Sequence, residues 1–211
     1  MEEKFNILPA SPETMDEFIL LAEKELVPLY DQLGIRLIAA WYCHAEWYCQ
    51  ITQITEFDDM EALKKFRIDV NQNEAWGRFT AQAEQMAPER YTRLLEPLGA
   101  IPTDVLHKTI ADSKTTPTGV YSMAILHASP NTIKDFITII GESSKVMPII
   151  ASWKVKGGDP NIVIDIWRTD LLEGKYEPFN PTMKSFFDQL RILAPKERIV
   201  KICTLPYSPL K

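Results

Sequence analysis

Residues 10–19 read ASPETMDEFI and residues 128–137 read ASPNTIKDFI, so that Ala, Ser, Pro, Thr, Phe and Ile coincide at six of ten positions, 118 residues apart. Repetition at a fixed spacing governs the reading of everything else, because a missed repeat misassigns the whole fold. Each segment carries a helix start. Ser11 and Ser129 offer hydroxyls that can cap free amides, and Pro12 and Pro130 suit the first helical position, where no amide hydrogen is needed. After the first start, Met15, Phe18, Ile19, Ala22, Leu26, Leu29, Tyr30 and Leu33 fall on one face of a 3.6-residue helix, and Gly34 suits its stop. After the second, Ile133, Phe136, Ile137 and Ile140 do the same. Pro28 lies inside the first helix, where it should cost a hydrogen bond and produce a kink.

Working outward, a short apolar strand precedes each helix, at 4–9 (KFNILP) and 119–127 (GVYSMAILH). Two β-rich runs follow each. They are 35–44 and 47–57 in the first copy, and 148–157 and 161–169 in the second, the latter joined by the turn Gly157-Gly158-Asp159-Pro160. Here the offset is 112, pairing Trp41 with Trp153 and Gln53 with Asp165. A second helical region is expected at 58–96, broken near Asn71–Asn73 and at Pro88, and at 180–193 in the second copy. Closing strands are expected at 104–112 (DVLHKTIAD) and 197–205 (ERIVKICTL). The order is β-α-β-β-α-β, twice, which is the ferredoxin-like unit. The expected division is therefore a first repeat over 1–112, a polar linker over 113–118 and a second repeat over 119–211. Strands 35–44, 47–57 and 161–169 are apolar on both alternating faces, which predicts sheets covered on both sides. Helices cover one face and the twin unit is the obvious cover for the other, giving an α+β fold of two tandem ferredoxin-like units in one intramolecular barrel.

Composition excludes several function classes. Lys and Arg are scattered and the net charge is −6, so the basic stripe that phosphate binding demands is missing and nucleic acid is not an expected partner. No apolar run approaches the roughly 20 residues of a membrane helix, and the acidic start MEEKFNILPA has no apolar signal core, so the chain reads as cytoplasmic. Cys43, Cys49 and Cys203 form neither a disulfide framework nor a CxxC metal pair. His44, His107 and His127 lack metal-ligand spacing, so no metal and no tightly held cofactor is expected. Glycine patterns for nucleotides and a nucleophile-elbow motif are absent from the sequence, which argues against kinase, nicotinamide-dehydrogenase and hydrolase readings.

The runs ELVPLYDQLG (25–34), DDMEALKKFR (58–67) and NEAWGRF (73–79), around a hairpin containing Trp41, resemble the NIPSNAP group of the dimeric α/β-barrel superfamily. The resemblance covers most of 4–112. The second copy keeps the helix start, the Trp and the topology but has no NEAWGRF-like segment. The resemblance implies a small-ligand pocket between sheet and helices, in a superfamily that includes cofactor-independent monooxygenases, polyketide cyclases, lactone isomerases and haem-handling enzymes. It also places Asn73 and Trp76 in the cavity, although Trp76 and Phe79, three apart, equally suit plain packing on the sheet.

Among individual residues, Gln53 and Asp165 are polar groups in strands otherwise apolar on both sides, a situation that costs roughly 1–3 kcal/mol unless a partner is found. They either hold a ligand, with Asp165 as general base, or close an internal hydrogen bond. His44 lies beside Trp41, Tyr42, Trp47 and Tyr48, an aromatic cluster with one titratable group, which suits an aromatic substrate or haem and equally suits cross-strand packing. The sequence therefore predicts a binder of a small apolar or aromatic molecule, with Trp41, Tyr42, His44, Gln53, Asn73 and Trp76 lining a cavity of the first copy. In its leading form this is a cofactor-independent enzyme of monooxygenase, cyclase or isomerase type, with His44 and Asp165 as catalytic candidates. The alternatives are a non-catalytic interaction module whose pocket is filled by its own side chains and, third, a haem protein. Pairing of two chains as a homodimer is left open.

Overall fold

The computed structural model describes residues 2–8, 12–45, 48–169 and 181–211, with the backbone alone at 2–8, 12–13, 44–45 and 48. The first β-α-β-β-α-β series runs β1 (Glu2–Leu8), α1 (Pro12–Leu21), α2 (Val27–Gln32), β2 (Arg36–Ala45), β3 (Tyr48–Glu56), α3 (Met60–Gln72), α4 (Glu74–Met86) and β4 (Glu89–Pro97). After α5 (Thr103–Ser113) comes the second: β5 (Val120–His127), α6 (Ile133–Ser143), β6 (Ile149–Lys156), β7 (Ile162–Arg168), α7 (Pro181–Leu193) and β8 (Lys196–Thr204).

Two compact units result, one of residues 1–93 with 203–211, the other of residues 94–202. In the first, β3 lies between β1 and β2, antiparallel to both, and β2 takes the end of β8 on its far side, Tyr42 opposite Cys203. In the second, β7 lies between β5 and β6, and β6 takes the end of β4, Leu95 opposite Val155. The expected linker 113–118 falls within the second unit. β3 and β7 are buried on both alternating faces, as Ile51 to Ile54 and Val163 to Ile166 show.

The closing strand of the first copy differs from the expectation. Residues 104–112 form most of helix α5, and the strand is β4, in what the sequence reading took as the end of a helix over 58–96. The apolar positions of DVLHKTIAD, Val105, Leu106 and Ile110, recur at helical rather than alternating spacing, and Pro102 opens the helix. Upstream, Pro88 stops α4, and Tyr91 and Thr92 favour extended backbone. The break near Asn73 is real. Asn73 leaves α3 in extended conformation and caps α4, its Oδ1 accepting from the amide of Trp76 at 2.9 Å.

Helix α6 starts later than the repeat implies. Asn131 takes a left-handed φ of 67°, Thr132 becomes the capping position, and its hydroxyl donates to the carbonyls of Ser129 and Leu193 instead of capping an amide. Ser11, the first copy's counterpart of Ser129, lies outside the described residues. Pro28 does not simply kink its helix. Ala22–Leu26 form a π-helical turn in which Val27 N–H reaches back to Ala22, and Pro28 then stands in the first turn of α2, where its missing amide hydrogen is harmless. Gly34 (φ 66°) ends α2 as expected, and Gly157 and Gly158 (φ 80° and 111°) make the second hairpin's turn.

Candidate functional site

Each unit has a cavity between its sheet and its helices, and the two differ because the same fold positions are filled differently. In the first unit, Gln53 on β3 sits opposite Ala40 of β2 and is 1% exposed. Its Nε2 donates to the hydroxyl of Tyr207 at 2.7 Å, and its Oε1 accepts from Tyr30 at 3.3 Å. The segment after β8 delivers Tyr207. Leu205 N–H donates to Ala40 O at 2.9 Å, Ala40 N–H donates to Ser208 Oγ at 2.9 Å, and Leu205 and Leu210 are buried. Burial raises the Tyr207 phenol well above its usual value, so it is a neutral hydroxyl. The remaining space is about 120 Å³, lined by Phe18, Leu26, Tyr30, Gln53, Trp76 and Phe79 among others. Ligand pockets for small organic molecules commonly run from about 300 to 1,000 Å³, so this one is mostly filled by the chain itself.

In the second unit, Asp165 holds the place of Gln53 and Ser152 that of Ala40, both at the offset of 112. Asp165 is fully buried, and its Oδ1 accepts from Ser152 Oγ at 2.5 Å. Its Oδ2 has no partner among the described residues, and neither has Trp167 Nε1, two residues along the same face of β7. That face packs on the helices, since Val163, Ala124 and Leu126 join Phe136 and Ile140 of α6 and Leu190 of α7 in one core. Burial pushes the Asp165 carboxyl up to about 7, opposed by the Ser152 hydrogen bond and assisted by the negative charge of Glu197. Burial raises Glu197 as well, and Arg191 works against it.

Beside this pair opens a cavity of about 510 Å³. Its apolar walls include Ala124, Pro148, Trp167, Met183 and Phe187, with Glu197 as the acidic lining residue. Asp165 is not itself a lining residue; its β5 partner Ala124 and its near neighbour Trp167 are. The Trp167 and Phe187 rings lie nearly parallel, 11° apart with centroids at 6.2 Å. Ser122 and Thr169 at the same wall bond each other at 2.9 Å.

The larger space has a structural cause. In the first unit the run α1, π turn and α2 extends over 12–32 and brings Leu26 and Tyr30 against Gln53. In the second, α6 stops at Ser143, and the residue 118 positions from Tyr30 is Pro148, in the approach to β6. The chain after β4 repeats the anchor after β8, with Leu98 N–H on Ser152 O as Leu205 N–H is on Ala40 O, but two residues on it has Ala100 where Tyr207 stands. Neither tyrosine has a counterpart at these positions, and among the described residues space and a carboxylate oxygen without a partner remain.

Of the residues singled out from sequence, the structure brings Gln53 and Trp76 to one cavity. Trp76 packs on Tyr30, Phe66 and Phe79. Asn73 is used as the cap of α4. Replacing it with Ala should cost about 1 kcal/mol with binding in either cavity unchanged, whereas Asp should substitute for it; urea denaturation together with ligand titration separates cap from ligand group. Trp41 does not join Gln53. Ala40 is Gln53's cross-strand partner, so Trp41, the next residue, points to the other face, where it is 1% exposed. Tyr42 lies opposite Cys203, and that neighbour, with burial, raises its phenol. His44 pairs with Cys49 in the β2–β3 ladder, its side chain lying outside the described atoms. No histidine among the described residues lines either cavity. Trp167, Phe187, Met183 and Glu197 were missed. Trp167 and Phe187 had a legible signal in their apolar periodicity, but Glu197 in the run KER looks like any solvated strand end.

No family model and no curated protein matches the chain. Solved structures do. A candidate monooxygenase from Lactobacillus acidophilus has a TM-score of 0.62 at 12% identity over 97% of this chain and 96% of its own. Another candidate monooxygenase, from Fusobacterium nucleatum, has a TM-score of 0.62 at 10% identity over 97% and 92%. An anthrone oxidase-like protein has a TM-score of 0.56 at 11% identity over 100% and 94%. At such identities the likeness shows the fold alone, and that fold is the dimeric α/β-barrel.

Proposed function

We propose that this chain is a NIPSNAP-like small-molecule-binding protein of the dimeric α/β-barrel superfamily, taking an apolar or aromatic molecule into the second unit's cavity. One observation carries the reading: among the described residues two buried polar atoms on one strand face lack partners, Trp167 Nε1 on a residue lining an apolar space of about 510 Å³ and Asp165 Oδ2 two residues along from it. An unsatisfied buried polar atom costs about 1–3 kcal/mol, and a ligand with one donor and one acceptor on a flat apolar body would relieve both. The chemistry this supports is proton transfer without a bound cofactor, of isomerase or cyclase type. Asp165 holds its proton up to about pH 7, close to where a general base works best, and Glu197 stands at the cavity wall with its carboxyl raised in the same direction. The monooxygenase names of the structural neighbours are compatible with an aromatic substrate. The motifs at 25–34, 58–67 and 73–79 support the NIPSNAP-like assignment, and the even distribution of charge supports a cytoplasmic protein without nucleic-acid partners. Among the described residues no helix is long and apolar enough to cross a membrane.

Calorimetric titration with 1-naphthol tests the reading. Binding is expected, weakened at least tenfold by Ala124→Trp, which fills the wall beside Trp167. Absence of binding by 1-naphthol and related bicyclic phenols, or binding indifferent to Ala124→Trp, overturns it.

A further inference from the structure

The first unit's cavity, set aside above because the chain fills it, has the attributes of a built site. Gln53 is a fully buried amide, and a buried amide needs both a donor and an acceptor beside it. Both needs are met by phenols, Tyr30 at its oxygen and Tyr207 at its nitrogen. The two are not equivalent. Tyr30 is part of α2, whereas Tyr207 lies in the segment 205–211 beyond the last strand, between exposed Pro206 and buried Ser208. The backbone on either side of Tyr207 is fastened independently of its ring, through Leu205 N–H on Ala40 O, Ala40 N–H on Ser208 Oγ, and Ser208 Oγ on Leu210 O at 2.7 Å. Beside Gln53 lies the space of about 120 Å³ with walls of Phe18, Leu26, Trp76 and Phe79. An apolar protein cavity of about 150 Å³ accepts benzene, and the Tyr207 side chain beyond its Cα is itself a p-cresol group, so the seat it vacates at Gln53 matches a substituted phenol.

We propose that Gln53 is a receptor for a phenolic hydroxyl, occupied in this state by the chain's own Tyr207, so that the segment 205–211 is an internal competitor for a phenol-bearing small molecule. The Gln53 amide that donates to the Tyr207 hydroxyl donates to the external phenol once the ring is withdrawn. An internal competitor lowers the apparent affinity by the fraction of time it is seated, so 99% occupancy weakens binding 100-fold. The wild-type chain therefore binds simple phenols poorly here, and loss of the Tyr207 ring uncovers the site.

The experiment is titration of the full chain with p-cresol and with toluene, which has the same ring and methyl group without the hydroxyl. Tyr207→Ala is expected to bind p-cresol at least tenfold more tightly than wild type, and toluene at least tenfold more weakly than p-cresol. Adding Gln53→Leu should erase the preference for p-cresol. Adding Ala124→Trp, in the other cavity, should leave it intact, which separates this site from the one proposed above. Tyr207→Phe, which keeps the ring, should gain nothing. Should Tyr207→Ala fold poorly, Tyr207→Leu is read in the same way, and p-cresol is expected to raise the melting temperature of either variant above the shift it gives wild type. Equal p-cresol affinity in wild type and variant, toluene binding as well as p-cresol, or no stabilisation of either variant overturns the proposal.

Discussion

Replacing Asp165 by Asn should make the protein more stable at pH 8, by about 4 kcal/mol, while leaving its stability near pH 4 almost unchanged. The carboxyl titrates near 3.8 in the unfolded chain and at about 7 in the fold. Between those values the unfolded chain releases a proton that the folded chain retains, so the folded state binds more protons and its stability falls as pH rises. The loss begins near pH 4, is complete above pH 7, and spans about three pH units at about 1.4 kcal/mol each. Asparagine keeps the shape and accepts the Ser152 hydroxyl at its carbonyl, but has no charge to form. Urea denaturation at half-unit intervals from pH 4 to 8 should show a falling curve for wild type and a flatter one for D165N. Parallel curves would mean that the carboxyl is not held neutral by its surroundings. Two companions fix the causes. Ser152→Ala removes a bond that favours the charged form and should move the fall to higher pH. Glu197→Gln removes a repelling charge and should move it lower.

The second large effect concerns the tryptophans at the offset of 112. Trp41 and Trp153 are 1% and 2% exposed, each on the face of its strand turned away from the cross-strand pair that holds Gln53 or Asp165. Trp41→Ala and Trp153→Ala should each cost about 3–5 kcal/mol, because removing a fully buried indole forfeits its transfer energy and leaves a void that the sheet cannot close. Trp76→Ala, at a partly exposed position in the first turn of α4, should cost distinctly less. Equilibrium unfolding of the three variants checks the order. If Trp41 served a ligand rather than the core, its replacement would cost little stability and much binding.

How far the sequence was legible follows from which signals are local. The hairpins, the helix phase of Met15, Phe18 and Ala22, the turn at Gly157-Gly158 and the stop at Gly34 depend on neighbours in the chain, and the expectations for them agree with the structure. Residues 89–113 did not read correctly. A β-α-β-β-α-β order calls for a closing strand at 104–112, yet the apolar residues at 105, 106 and 110 have helical spacing and the β-formers lie earlier, after Pro88. The candidate sites were half visible. Gln53 and Asp165 stood out as polar residues in doubly buried strands. Whether each found a partner depended on residues 154 positions away for Tyr207 and 13 for Ser152, and on how far a helix extends before the following strand. No pattern within one copy carries that information. The difference between the two cavities is visible only when the copies are laid side by side.

The π turn at Ala22–Leu26 sets the azimuth of every later residue in that helical run. Each residue of an α-helix advances the side-chain direction by about 100°, and a widened turn retards it. In a straight helix Tyr30 would stand about 120° round from Phe18, at the far edge of the same apolar face; the lag turns it toward the centre of that face, where its hydroxyl donates to Gln53 Oε1. The irregular turn thus acts as a phase shifter: a local mismatch ahead of Pro28 sets which hydroxyl β3, the second strand after α2, can reach. Helix α6, regular throughout and ended by Ser143, has no such device, and in its unit one carboxylate oxygen of Asp165 has no partner among the described residues.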